Sequence, residues 1–371
     1  MMKSEIKIAV VFGIVIVMAI GIISFLFSSL DLQVEPSSIN SPQDNPANLI
    51  DKSKFKKAPE LVGIAHYLNT TPEKLASQIE GKVVLYDIWT YSCINCIRTL
   101  PYITAWNDKY SDEGLLIIGI HSPEFEFEKD IENVELAISK HGITYPVVMD
   151  NEWETWKAFE NRYWPRKYIA DHEGYLRYDH IGEGAYQETE KIIQQLLEER
   201  SLSLGMQIAS AEPLVDIEEF EHTSFRTPEL YFGYSLAQGR NQLGSAEGFN
   251  QNKVTIYNEP NNLQLHKFYP VGKWLNLEDS MKLESESGSI KVLFHAKEVN
   301  IVTANQAELE IFLDGKPLDE KYAGSDIKLG NKILTSDPDL YNIIRSEKSA
   351  THELEIKINQ KGFEIFTFTF G

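Results

Sequence analysis

Cys93 and Cys96 are the only cysteines in the 371 residues, and only Ile94 and Asn95 separate them. An i to i+3 spacing brings both sulfurs to one side of a helix's first turn, close enough to bridge. A thiol at a helix N-terminus meets unpaired backbone N–H groups and the positive dipole end, which favours its thiolate. Cys93 is then the exposed attacking sulfur and Cys96 the resolving one. The same pair could be half of a zinc site. That reading needs two further close ligands, and the chain has no second Cys pair and no HxxxH, so it requires a site shared between two chains. With two cysteines in all, no disulfide framework holds the fold together.

Other residues join the pair by spacing. Asp87 precedes Cys93 by six positions, within the apolar run Val83–Trp89. A carboxylate buried there has a raised pKa and suits proton relay to or from Cys96, whereas one at a wetted strand end is merely solvated. Pro101 follows Cys96 by five and is expected to kink the helix that carries the motif. Pro165, in Tyr163-Trp164-Pro165-Arg166, precedes a hairpin strand. In cis it could face the dithiol and offer backbone groups to an incoming strand, although an isolated X-Pro bond favours trans. Ile94 and Asn95 bring no cation to the thiolate, which argues against a strongly oxidising pair and for a reductant.

The elements that must position these residues are legible as patterns. Val83–Trp89 and Leu115–Ile120 read as buried strands, Glu126–Lys140 as a helix and Pro146–Met149 as a short strand. Lys167–Ala170 and Leu176–Asp179 form a hairpin, and Glu188–Glu199 a closing helix. Strands alternating with helices predict an α/β domain, residues 59–200, with a central sheet covered on both faces. Residues 201–213 read as a linker. From Leu214 the helical period gives way to apolar/charged alternation, with breaks at Asp314-Gly315 and Lys361-Gly362. That predicts an antiparallel β-sandwich over 214–371, jelly-roll-like.

At the N-terminus, Ile8–Leu30 carries no charge. These residues would span about 35 Å as a helix, enough for one membrane crossing. The run is longer than a signal-peptide core, and Ser28-Ser29-Leu30 is a poor cleavage site. Lys3 and Lys7 before the run, with Asp31 and Glu35 after it, place the N-terminus in the cytoplasm and the rest outside. Residues 1–30 are therefore expected to be a single-pass membrane anchor, and the Pro-, Ser- and Asn-rich residues 31–58 an extended tether. The 35 Lys plus Arg against 55 Asp plus Glu give a net charge of −20, which argues against nucleic-acid binding.

Asp87, Trp89, Cys93, Cys96, Pro101 and Pro165 occur in the order and spacing of thioredoxin-like proteins. WTYSCINCIRTLPYI (89–103), GIHSPEFEFEKD (119–130) and YWPRKYIADHEG (163–174) resemble the extracytoplasmic part of the DipZ family, related to the TlpA-type anchored thioredoxins. TPELYFGY (227–234), LYNIIR (340–345) and GFEIFTFTFG (362–371) resemble the C-terminal domain of the same family. The resemblance implies a thioredoxin fold, a cis Pro165, attack by Cys93 on substrate disulfides, and Glu124 close to the dithiol as a second acid. It implies no cofactor beyond the Cys93–Cys96 pair, and protein disulfides or dithiols as substrates. DipZ carries a multi-span electron-transporting domain where this sequence shows one span, so electrons would come from a separate membrane donor, such as a DsbD/CcdA-like protein.

Two rivals remain. Peroxiredoxins carry a Thr three residues before the attacking Cys, as Thr90 stands here, but Tyr86 replaces the proline they carry four residues earlier. A scaffold protein is the second, its β-domain recognising a glycan or protein partner while the dithiol only modulates it. Tyr231, Tyr234 and Trp274 are the aromatics that could stack on a sugar, or else fill the core or face the first domain.

Overall fold

The computed structural model describes residues 52–206, 213–221 and 225–371. The expected anchor, most of the tether and residues 207–212 of the expected linker lie outside them. No helix among the described residues is long and apolar enough to cross a membrane.

The first half is a six-stranded mixed sheet, ordered β1-β4-β3-β2-β5-β6. Its strands are β1 (His66–Leu68), β2 (Val83–Trp89), β3 (Leu115–His121), β4 (Val147–Met149), β5 (Arg166–Ala170) and β6 (Leu176–Ile181). β2 and β3 are buried at every position, as runs apolar but for Asp87 and His121 suit a pair of parallel central strands. The helices are α1 (Pro72–Ile79), α2 (Ile94–Tyr110), α3 (Ile131–Lys140), α4 (Glu154–Ala158) and α5 (Tyr186–Ser203). One face of the sheet meets α2 and α5 through Leu85, Trp89, Ile103, Trp106, Ile169 and Ile193. The other buries Tyr86, Ile88, Ile118, Trp156 and Tyr168.

Three local expectations change. The helix expected over 126–140 breaks into a 3-10 turn, Glu126–Lys129, and α3, because Asp130 caps α3 by accepting from Glu132 N at 3.0 Å. α5 runs on to Ser203, taking in the start of the expected linker. The end of the tether is not free: Lys57 bridges to Tyr175, and Ala58 N donates to Gly174 O at 2.9 Å.

The second half is antiparallel β. Its strands are β7 (Leu230–Tyr231), β8 (Val254–Tyr257), β9 (Lys267–Asn276), β10 (Met281–Leu283), β11 (Gly288–Ala304), β12 (Ala307–Leu313), β13 (Lys316–Pro317), β14 (Lys332–Thr335), β15 (Asp339–Ile358) and β16 (Glu364–Phe370). A short helix, α6 (Tyr234–Ala237), interrupts them. The strands pair as one continuous ten-stranded sheet rather than as two separate sheets. The physical reason is that the two runs expected as separate strands over 290–302 are one, β11. Register shifts against β15 at Ala296/Glu298 and Val299/Asn300 mark where this long pair is irregular. β9 returns alongside β11, where His266 N donates to Leu293 O.

Residues 51–371 form one compact unit. Phe125 of the first half packs with Tyr231, Val302, Ala304, Leu340 and Phe366 of the second, and Ile94 and Ile97 of α2 pack against that cluster. Lys140–Asp339 at 2.5 Å and Arg98–Glu298 at 2.7 Å cross the same seam.

Candidate active site

β2 ends at Trp89, and the loop Thr90–Ser92 delivers Cys93 as the N-cap residue of α2. The Cys93 sulfur accepts from Cys96 N at 3.3 Å, so it lies on the open amide end of the helix. Cys93 is partly exposed, Cys96 is buried behind it, and both are free thiols. Burial, then the hydrogen bond with Cys93, pushes the Cys96 thiol well above its ordinary range. The two sulfurs are therefore unequal: one reachable, one sealed and protonated at neutral pH.

Asp87 projects to the same sheet face as Cys96 and is 1% exposed. Its Oδ1 receives no hydrogen bond. Burial raises its pKa to about 6, against the pull of the Lys167 ammonium. Lys167, also fully buried, lies opposite Asp87 in the β2–β5 register, while Gly119 occupies the matching position on β3. Burial pushes Lys167 down, opposed by Asp87 and Cys96. Its Nζ donates to Gly182 O at 3.2 Å, and Gly182 N donates to Pro165 O at 2.7 Å. The Trp164–Pro165 peptide is cis. Cys96, Asp87, Lys167 and the Pro165 loop thus form one connected group.

Glu124 sits in the loop after β3. Its Oε1 accepts from the Tyr231 hydroxyl at 2.8 Å, a bond across the seam. Burial, with Glu229 and Glu128 nearby, raises its pKa to about 8. Tyr231 and Trp274 are buried, with Trp274 Nε1 donating to Val271 O, so neither presents a face to a sugar ring. Tyr234 is half-buried, its hydroxyl bonded to Asn252.

Sequence reasoning missed Lys167 and Glu128. The alternation of β5 around Lys167 could have flagged the lysine as inward-facing. Glu128 offered no signal, since it lies in a run of exposed-looking acids. Its carboxylate is completely buried and accepts from Ser92 Oγ at 2.6 Å, Glu124 N at 2.5 Å and Phe125 N at 3.0 Å. It ties the loop before Cys93 to the loop that carries Glu124. The Thr90 hydroxyl meets His121 Nε2 at 3.3 Å, and burial holds that imidazole near a pKa of about 3, neutral. No group of three or more His, Cys, Asp or Glu that could hold a metal ion occurs among the described residues.

The Redoxin family model matches residues 55–197, and the model described as Thioredoxin like C-terminal domain matches 227–371. Protein DipZ of Mycobacterium bovis is 33% identical over 316 residues, which are 85% of this chain and 43% of DipZ. The chain thus spans less than half the length of that relative. The thiol-disulfide oxidoreductase YkuV of Bacillus subtilis is 32% identical over 143 residues, 38% of this chain and 94% of YkuV. A solution structure of a thioredoxin-like protein in the oxidized form is 32% identical, covering 39% of this chain and 97% of its own, with a TM-score of 0.36. Redoxin and Thioredoxin-like C-terminal matches in series, and a relative matched along nearly its whole length, place this chain in the thioredoxin-like thiol–disulfide oxidoreductases of DipZ/TlpA type.

Proposed function

We propose that this oxidoreductase reduces protein disulfides through Cys93 and Cys96, outside the cytoplasm and held by a single N-terminal span. The observation that carries this is the inequality of the two sulfurs: Cys93 is reachable at a helix N-cap, and Cys96 is sealed behind it beside Asp87. The Cys93 thiolate attacks one sulfur of a substrate disulfide, and the other sulfur leaves as a thiolate that takes a proton. Cys96 then passes its proton to Asp87 and attacks the Cys93 sulfur. The Cys93–Cys96 disulfide forms, and the second substrate sulfur departs. Two electrons have moved to the substrate, so the oxidised pair must regain two from a dithiol donor, which in this reading is a separate membrane protein.

The measurement that tests this is the reduction potential of the pair, equilibrated against glutathione. A value of about −270 mV or lower supports a reductant, and one of about −120 mV makes the protein an oxidant and reverses the direction. Failure to form any Cys93–Cys96 disulfide removes the redox reading altogether.

A further inference from the structure

The Tyr231 oxygen lies 2.8 Å from Glu124 Oε1 and 3.0 Å from Glu229 Oε2. A phenol carries one hydrogen and can donate to one of these carboxyls. The other contact needs a hydrogen of its own, and only a protonated carboxyl can supply it. Two ionised carboxylates around a single O–H, beside the apolar cluster of Phe125, Val302, Leu340 and Phe366, would leave a charged oxygen facing oxygen lone pairs. The charged surroundings allow one carboxylate: Arg240 lies over the Tyr231 ring at 4.7 Å, Arg226 also faces Glu229, and Glu128 adds a negative charge near Glu124. Gln242 fixes the segment, accepting from Tyr231 N at 2.9 Å and donating to Glu229 O. Ile94, between the two cysteines, packs into the same apolar cluster as Tyr231 and Phe125.

We propose that the β-domain supplies part of the redox site: Tyr231, backed by Glu229, positions Glu124 and shares with it a carboxylic-acid proton at the seam beside the dithiol helix. Tyr231 is a positioning residue that acts through Glu124. The shared proton keeps a second negative charge away from the face where the Cys93 thiolate forms. Glu124 gives up this proton only around pH 8, so the seam is neutralised through the physiological range.

The test is infrared spectroscopy of the detergent-solubilised full-length chain, as the difference between wild type and Glu124→Gln. A protonated-carboxyl carbonyl band at pH 7, lost from Glu124→Gln and bleaching as pH passes about 8, is the expected result. When Glu124 ionises, the Tyr231 hydroxyl turns from Glu229 to donate to it; Tyr231→Phe keeps the ring but removes that donor, so the bleaching moves to higher pH. Glu229→Gln removes the like charge and moves it to lower pH. A wild-type band identical to that of Glu124→Gln, or a midpoint unmoved by both Tyr231→Phe and Glu229→Gln, overturns the proposal. If Glu124→Gln does not fold, the Tyr231 and Glu229 variants decide it alone.

A second arm rests on the dithiol reading. The rate of disulfide exchange should bend downward by about two- to threefold as pH passes about 8 and Glu124 loses its proton. The bend should vanish in Glu124→Gln and shift with the infrared midpoint in the other two variants. A wild type that exchanges no disulfide at any pH defeats the dithiol reading, and the infrared titration then decides the shared proton by itself. Exchange without a bend that moves with the midpoint defeats the proposal.

Discussion

Asp87 and Lys167 face each other across β2 and β5, both buried, on the sheet side that also holds Cys96. Without the Lys167 ammonium, burial would push this carboxyl further up. Lys167 restrains the shift to about 6, leaving Asp87 largely ionised at pH 7 and able to take a proton.

Asp87→Asn should therefore slow the resolving step by about 100-fold or more while leaving the first attack by Cys93 intact. Stopped-flow decay of a preformed Cys93 mixed disulfide separates the two steps. Lys167→Met should move the acid limb of that same step to higher pH, and an unmoved limb would show that Lys167 does not govern Asp87.

The same carboxyl gives a stability signature. Its folded pKa, about 6, exceeds its ordinary value of 3.8, so the folded state binds more protons than the unfolded chain between those values. Stability contributed by this group is full below about pH 4 and is lost as pH rises through 6. Asp87→Asn should be the more stable protein at pH 8, by about 1–3 kcal/mol, with the advantage fading below pH 4. Urea titrations at several pH values read it directly.

Cys93→Ser should abolish exchange. Cys96→Ser should still attack and should accumulate mixed disulfides with substrate proteins, visible on non-reducing gels. The reverse pattern would exchange the two roles.

Glu128→Ala leaves Ser92 and the Glu124 and Phe125 amides without their acceptor. A loss of about 2–4 kcal/mol is expected in denaturant unfolding. Ser92→Ala should cost about 1 kcal/mol, since Glu128 keeps its backbone donors. Equal losses in the two variants would mean that the loop tie is not centred on Glu128.

Arg98 binds Glu298 across the seam, nearly buried, with its guanidinium 3.4 Å from the centre of the Phe220 ring. Arg98→Ala should cost about 3 kcal/mol and increase proteolysis between the two halves, because Glu298 loses its buried partner and keeps the more exposed Arg345. Its dithiol chemistry should survive when assayed at low temperature.

Much of the site was legible because its geometry is local. Cys93, Cys96 and the N-cap position follow from spacing alone, and the apolar run around Asp87 announced its burial. The alternation of β5 could show Lys167 facing inward but not that it meets Asp87, which depends on which strands become neighbours; the contact of Glu124 with Tyr231 depends on how the two halves dock, and no short-range pattern carries that. The C-terminal strands were legible by alternation, but their joining into one sheet was not. It turns on register shifts in β11, which leave no period behind. Pro165 stands between these cases: its position was readable, while the cis state came from the resemblance and is present in the structure.

Ile94 has two duties that pull on one side chain. As one of the two residues between the paired cysteines, it sets their separation along the first turn of α2. Here Ile94 is also a brick in the joint between the two halves. An exchange at Ile94 therefore acts twice, on the spacer between the two sulfurs and on the fit of one half against the other.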